Sequence, residues 1–144
     1  MSSLNYKTWT DGMTGERAIG KLLNQSGIIN SQIDRIAIFE NKVVLFEIKT
    51  LKLFTKGINF PHDGHGIHPE QLKLKINIAR KINADAILVI FCKTTNLIYY
   101  QNCENLLQCE NYYKCKKHGQ HIYPIDEFEV CDYNDFKVRI FRAR

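Results

Sequence analysis

The chain has 144 residues, of which 44% are hydrophobic and 24% charged, with a formal net charge of +5. That length is one domain's worth, enough to build a core without staples, and the composition excludes a disordered or collagen-like chain. The longest apolar run, Ala86 to Cys92, is far short of the ~18 residues a membrane span needs. Five cysteines form an odd set, and the first residues carry no apolar export signal. The expectation is a cytoplasmic domain, 1–144, with no disulfide framework and no membrane partner.

Read in chain order, Thr14 to Ser26 has helical periodicity, with Thr14 as N-cap and Gly27 as stop. Ala18, Ile19, Leu22, Leu23 and Ser26 share one face, and Glu16 lies on its edge. Ile33 to Phe39 and Lys42 to Lys49 read as strands joined at Glu40-Asn41. If those two residues are the whole hairpin loop, Phe39 faces Lys42, Ile38 faces Val43, and Asp34 falls opposite Glu47. Val43, Leu45, Glu47 and Lys49 then point to one side of the sheet. The polar stretch Thr55 to His68 holds His62, His65 and His68, with a short third strand expected at Gly57 to Phe60.

Pro69 to Ile82 reads as a second helix, with proline at the favoured first position. Leu72, Leu74, Ile76, Ile78, Ala79 and Ile82 form a wide apolar arc. Gln71 and Lys75 project inside that arc, and Lys73, Asn77, Arg80 and Lys81 away from it. Ala86 to Cys92 reads as a central strand covered on both faces, and Leu97 to Gln101 as the next strand. Residues 102–121 read as a loop-rich insertion. Phe128 to Val130 and Phe136 to Phe141 read as C-terminal β-structure, with Val138 and Ile140 inward and Lys137 and Arg139 outward. The order is that of a mixed α/β layer fold, with a core over 14–101 and a β segment over 122–144.

Two carboxylates facing each other across adjacent strands repel unless a cation sits between them. Hard oxygen ligands from Asp34, Glu47 and the carbonyl of Ile48 suit Mg²⁺ or Mn²⁺. Lys49, two residues from Glu47 on the same face, can hold a water or a phosphate oxygen beside that cation. This is the minimum equipment for phosphodiester hydrolysis.

Asp34 followed by Glu47-Ile48-Lys49 on a strand resembles the PD-(D/E)XK motif of the restriction-endonuclease-like nucleases. Gly15-Glu16-Arg17-Ala18 is similar to the helix glutamate of the Holliday-junction-resolvase-like branches, and Gln71 matches a polar residue many relatives carry early in the second helix. The residue before Asp34 is Ile33, where the motif name has proline. The resemblance implies an αβββαβ core with a mixed central sheet flanked by helices. It also implies Mg²⁺-dependent cleavage of DNA to 5′-phosphate and 3′-hydroxyl ends. Glu16, Asp34, Glu47, Lys49 and Gln71 are then the catalytic set, with Asp34, Glu47, the Ile48 carbonyl and Glu16 as metal ligands.

Cutting two strands conveniently uses two sites related by a two-fold axis, so a homodimer is expected. The basic residues gather in clusters suited to a phosphate backbone, although any one of them reads equally as solvated surface charge. Lys52, Lys56, His68, Lys75, Arg139, Arg142 and Arg144 are the candidate DNA contacts. A separate set, Cys103, Cys109, Cys115, His118 and His121, concentrates soft ligands that could take zinc. Its spacing lacks a Cys-x2-Cys knuckle, and unpaired packing thiols are the default reading. Two other functions remain open: a nucleic-acid-binding module without cleavage, and a zinc-stabilised interaction protein.

Overall fold

Alternation along Lys42–Leu51 places Val44, Phe46 and Ile48 on one side of a long strand and Leu45 on the other, all of them buried. A strand apolar on both faces must lie inside a sheet. The computed structural model describes residues 17, 19, 29–30, 36–39, 42–57, 60–115, 117 and 119–142. It puts this strand, β3, third in a six-stranded mixed sheet. Before it come β1 (Ile29–Asn30) and β2 (Ile36–Phe39). After it in the chain come β4 (Gly64–Ile67), β5 (Ala84–Cys92), β6 (Ile98–Asn102), β7 (Tyr113–Cys115), β8 (Gln120–Pro124) and β9 (Glu129–Cys131). The large sheet runs β1-β2-β3-β5-β6-β9 and a small one β4-β8-β7.

The β2–β3 register is the one a two-residue loop predicts: Phe39 opposes Lys42, Ile38 opposes Val43, and Ile36 opposes Leu45. Asp34, Glu40 and Asn41 lie outside the described residues. Arg17 and Ile19 are helical, and Ile19 is fully buried; Glu16 lies outside the described residues. β3 and β5 pair in parallel, from Val43 against Ala84 to Leu51 against Cys92. Parallel neighbours need a crossover, and it carries helix α1 (Pro69–Lys81). Proline opens this helix, Glu70 stands in its first turn, and Arg80 and Lys81 in its last, all favourable to the helix dipole. Asn83, at φ 53°, then turns the chain into β5.

Two cores result. Ile19, Ala37, Val44, Phe46, Ile48, Val89, Phe91, Ile98, Cys131, Tyr133 and Phe136 pack on one face of the large sheet. On the other, Leu72, Ile76 and Ala79 of α1 pack with Leu45, Leu88, Ile90, Tyr99, Tyr123 and the short helix α2 (Cys103–Gln108). The apolar arc of α1 is narrower than its sequence suggests: Leu74, Ile78 and Ile82 are exposed. Among the described residues, no helix is long and apolar enough to cross a membrane.

Three expected elements differ. Gly57 and Phe60, the ends of the expected third strand, are not in a strand, and Ile58 and Asn59 lie outside the described residues. The Gly57 N–H donates to the Phe60 carbonyl at 2.9 Å, a local closure, and the strand forms later, at β4. It pairs with β8, away from the large sheet, and Gly64 permits this: a Cβ there would lie 2.2 Å from the Tyr123 carbonyl oxygen. Within 102–121 the described residues form regular elements. Asn102 caps α2 by accepting from Glu104 N–H and Asn105 N–H, and β7 and β8 form an antiparallel pair.

The third difference is at the C-terminus, where Phe136 to Phe141 belongs to helix α3 (Tyr133–Arg142). The Asp132 carboxylate accepts from Asp135 N–H at 2.7 Å, an N-terminal cap, and Tyr133 and Phe136 bury one helical stripe. Val138, inward in a strand, is 45% exposed on this helix. The segment's two-residue alternation was compatible with helical spacing, and the cap decides for the helix. Of the C-terminal β-structure, only the segment near Phe128 to Val130 forms, as β9 against β6.

Candidate functional site

Glu47 and Lys49 follow Leu45 in the two-residue period of β3, so they emerge on the face that α1 covers. In the parallel register they stand opposite Leu88 and Ile90 of β5. The described pairing of β3 with β2 runs from Lys42 to Leu45 and stops short of Glu47. From above, α1 brings Lys75, half-buried on the flank of its Leu72–Ile76–Ala79 stripe. Lys75 Nζ lies 3.0 Å from Glu47 Oε2, and Lys49 Nζ lies 3.6 Å from Glu47 Oε1. Each carboxylate oxygen therefore faces one ammonium group.

The side chains of Glu47, Lys75 and Lys49 are 17%, 18% and 27% exposed. Pairs this withdrawn from water are screened much less than surface bridges. Gln71 stands one turn before Lys75 on the same side of α1, half-buried, and its backbone N–H donates to the His68 carbonyl at 3.0 Å. Cys103, the first residue of α2, is fully buried nearby. Burial pushes its thiol up to about 12; the Glu47 carboxylate adds to the rise and Lys75 opposes it. It remains a neutral thiol beside the charged cluster.

Glu47 supplies a half-buried oxygen ligand of the kind a hard divalent cation takes, with Ile48 next to it on the strand, and Lys49 and Lys75 are charges that such a cation would have to offset. Asp34 and Glu16, the other expected carboxylates, lie outside the described residues. Among the described residues, no three His, Cys, Asp or Glu side chains converge in a way that could hold a metal ion.

The soft-ligand set is dispersed over several elements. Cys103 is buried in the core, and the Cys109 thiol, past the end of α2, donates to Glu127 Oε1 at 3.2 Å. Cys115 is buried in β7, while His121 of β8 stacks on Tyr112 at 3.9 Å. Burial, with Lys114 and Lys73 nearby, pulls the His121 pKa below its usual value. His118 lies outside the described residues.

The candidate DNA contacts occupy separate elements. Lys52 and Lys56 are exposed beyond β3, and the Lys56 N–H donates to Asp63 Oδ1. His68 takes the N-cap position of α1 without a side-chain cap bond. Arg139 belongs to a helix, where a strand was expected: its guanidinium sits 5.7 Å from the Tyr100 ring centroid and donates to the Tyr100 hydroxyl. Arg142 ends α3, and Arg144 lies outside the described residues.

The sequence reading placed Lys75 among phosphate contacts and missed its bond to Glu47. The available signal was its spacing: Gln71 and Lys75 at i, i+4 on the helix side that must cover the Glu47 face of β3.

No protein-family model matches the sequence, and no curated protein matches it significantly. Among solved structures, the chain is similar to Hjc of Archaeoglobus fulgidus, a Holliday junction resolvase from an archaeal hyperthermophile. The TM-score is 0.55 at 10% sequence identity, covering 88% of this chain and 95% of that one. The likeness is one of fold: a mixed central sheet flanked by helices.

Proposed function

We propose that this chain is a divalent-metal-dependent nuclease that hydrolyses DNA phosphodiesters, with branched DNA as its preferred substrate. The observation that carries the reading is the Glu47–Lys49–Lys75 cluster, a withdrawn carboxylate with a cation at each oxygen on a resolvase-like fold. Asp34, Glu47 and the Ile48 carbonyl would hold Mg²⁺ or Mn²⁺, with Glu16 as a further ligand. Bound there, the cation supplies Lewis acidity at the phosphate and lowers the pKa of water.

The chain's own groups do the rest. Lys49 donates a hydrogen bond to the attacking water or to a phosphate oxygen and stabilises the charge that develops on phosphorus oxygens. Water adds to phosphorus, the bond to the 3′ oxygen breaks, and the proton ends on the 3′-hydroxyl, leaving a 5′-phosphate. Gln71 orients groups around Lys49. Lys52, Lys56, His68, Arg139, Arg142 and Arg144 contact the DNA backbone, and two copies of the chain act as a homodimer on the two strands. The test is a cleavage assay on linear, nicked, flapped and four-way DNA with Mg²⁺ or with excess chelator. Chelator-sensitive cleavage, strongest on the four-way junction, is expected; undiminished cleavage in chelator would refute the metal mechanism.

A further inference from the structure

The pairing at Glu47 is lopsided. Lys75 approaches to hydrogen-bond distance, 3.0 Å, whereas Lys49, the lysine of the Glu-x-Lys pattern, stands off at 3.6 Å. The stronger partner of the carboxylate thus comes from α1, not from the strand. Any divalent cation that takes Glu47 must contend with this ammonium, both as a repelling charge and as an occupant of Oε2. Lys75 is mostly buried, and a buried ammonium left without a partner is strongly unfavourable. Among the described residues it makes no other ion pair, and the adjacent Cys103 is a buried, neutral thiol that cannot serve as an anion. The nearby carboxylate Glu104 pairs with Arg80 at 3.4 Å. Among the described residues, then, no second anion stands ready for a Lys75 displaced from Glu47, and a DNA phosphate can supply one.

We propose that Lys75 is an exchanging cation: it holds Glu47 while the site lacks metal, and it moves to a phosphate oxygen of the DNA when a divalent cation takes that carboxylate. The proposal rests on the nuclease reading above. It makes Lys75 a gate as well as a contact, since its ammonium opposes metal binding without DNA and supports DNA binding once metal is present. A purely structural Glu47–Lys75 bridge would do neither.

The test uses Lys75→Met, which keeps the apolar stem against the α1 stripe, and Lys75→Gln as a second variant. Binding of Mn²⁺ without DNA, read by electron paramagnetic resonance, should tighten by about tenfold in both, since a neighbouring unit charge at this depth is worth at least that much. Affinity for a four-way junction should match wild type in chelator. In Ca²⁺ it should fall by about tenfold, the worth of one charge-assisted hydrogen bond. Unchanged or weaker Mn²⁺ binding in both variants, or an equal loss of DNA affinity in chelator and in Ca²⁺, would overturn the exchange while leaving the metal site standing. Failure of wild type and variants alike to bind Mn²⁺ would remove the metal site and the exchange together.

Discussion

His65 offers a stability test that is independent of catalysis. It lies in β4 opposite Tyr123 with no exposed surface, its ring edge-on to Tyr99 at 4.8 Å and to Phe128 at 6.2 Å. Neither ring nitrogen has a hydrogen-bond partner among the described residues. Burial alone lowers its pKa from 6.5 to about 4. The sign follows from proton counting: between those two values the unfolded chain binds a proton that the folded chain refuses. The His65 contribution to stability is therefore complete above pH 6.5 and is lost as pH falls towards about 4. At 1.36 kcal/mol per unit, the loss is about 3 kcal/mol between pH 7.5 and pH 4. His65→Leu removes this titration and keeps an apolar side chain of similar bulk. Urea unfolding followed by circular dichroism, for both proteins at several pH values, should show the wild-type-minus-variant difference shrinking by that amount on acidification. All other titrating groups are shared and cancel. A difference that stays constant from pH 7.5 to 4 would refute the reasoning, because it would mean that His65 takes up its proton equally well folded and unfolded.

Glu47→Ala and Lys49→Ala should each slow DNA cleavage by about 100-fold or more, as for loss of a principal electrostatic element, measured as single-turnover rates; wild-type rates for Glu47→Ala would refute its assignment. Phe136→Ala should destabilise by about 3 kcal/mol in chemical denaturation, while Val138→Lys should be nearly neutral, a contrast that a strand with Val138 inward would reverse. Asn102→Ala should cost about 1 kcal/mol through the α2 cap, read in the same assay. Neutralising Arg139 and Arg142 should flatten the salt dependence of DNA binding by a slope of roughly 0.9 per lost phosphate contact on duplex DNA; an unchanged slope would return them to surface charge.

Local pattern and global position divide the chain's determinants. The alternation in β3, the two-residue register with β2, the proline-led α1 and the doubly covered β5 were legible because each is encoded by neighbours within one element. The side of β3 that carries Glu47 and Lys49 followed from the same period. Where two periods fit equally, as at Phe136 to Phe141, hydrophobicity could not choose, and the Asp132 cap, a contact of three residues' reach, made the helix. The small sheet was hidden for another reason: β4 and β8 lie far apart in sequence, and their pairing depends on the close backbone approach that Gly64 allows. By itself the sequence determined the strands of the main sheet from β2 onward, though not the two-residue β1, and the acid-and-lysine pattern on its middle strand. Only the tertiary structure decided that Lys75, twenty-eight residues after Glu47 in the chain, is its nearest cation. That contact is set by how α1 seats on the sheet, through the combined packing of Leu72, Ile76 and Ala79; the helical spacing of Gln71 and Lys75 gives the side of the helix, not the distance to Glu47.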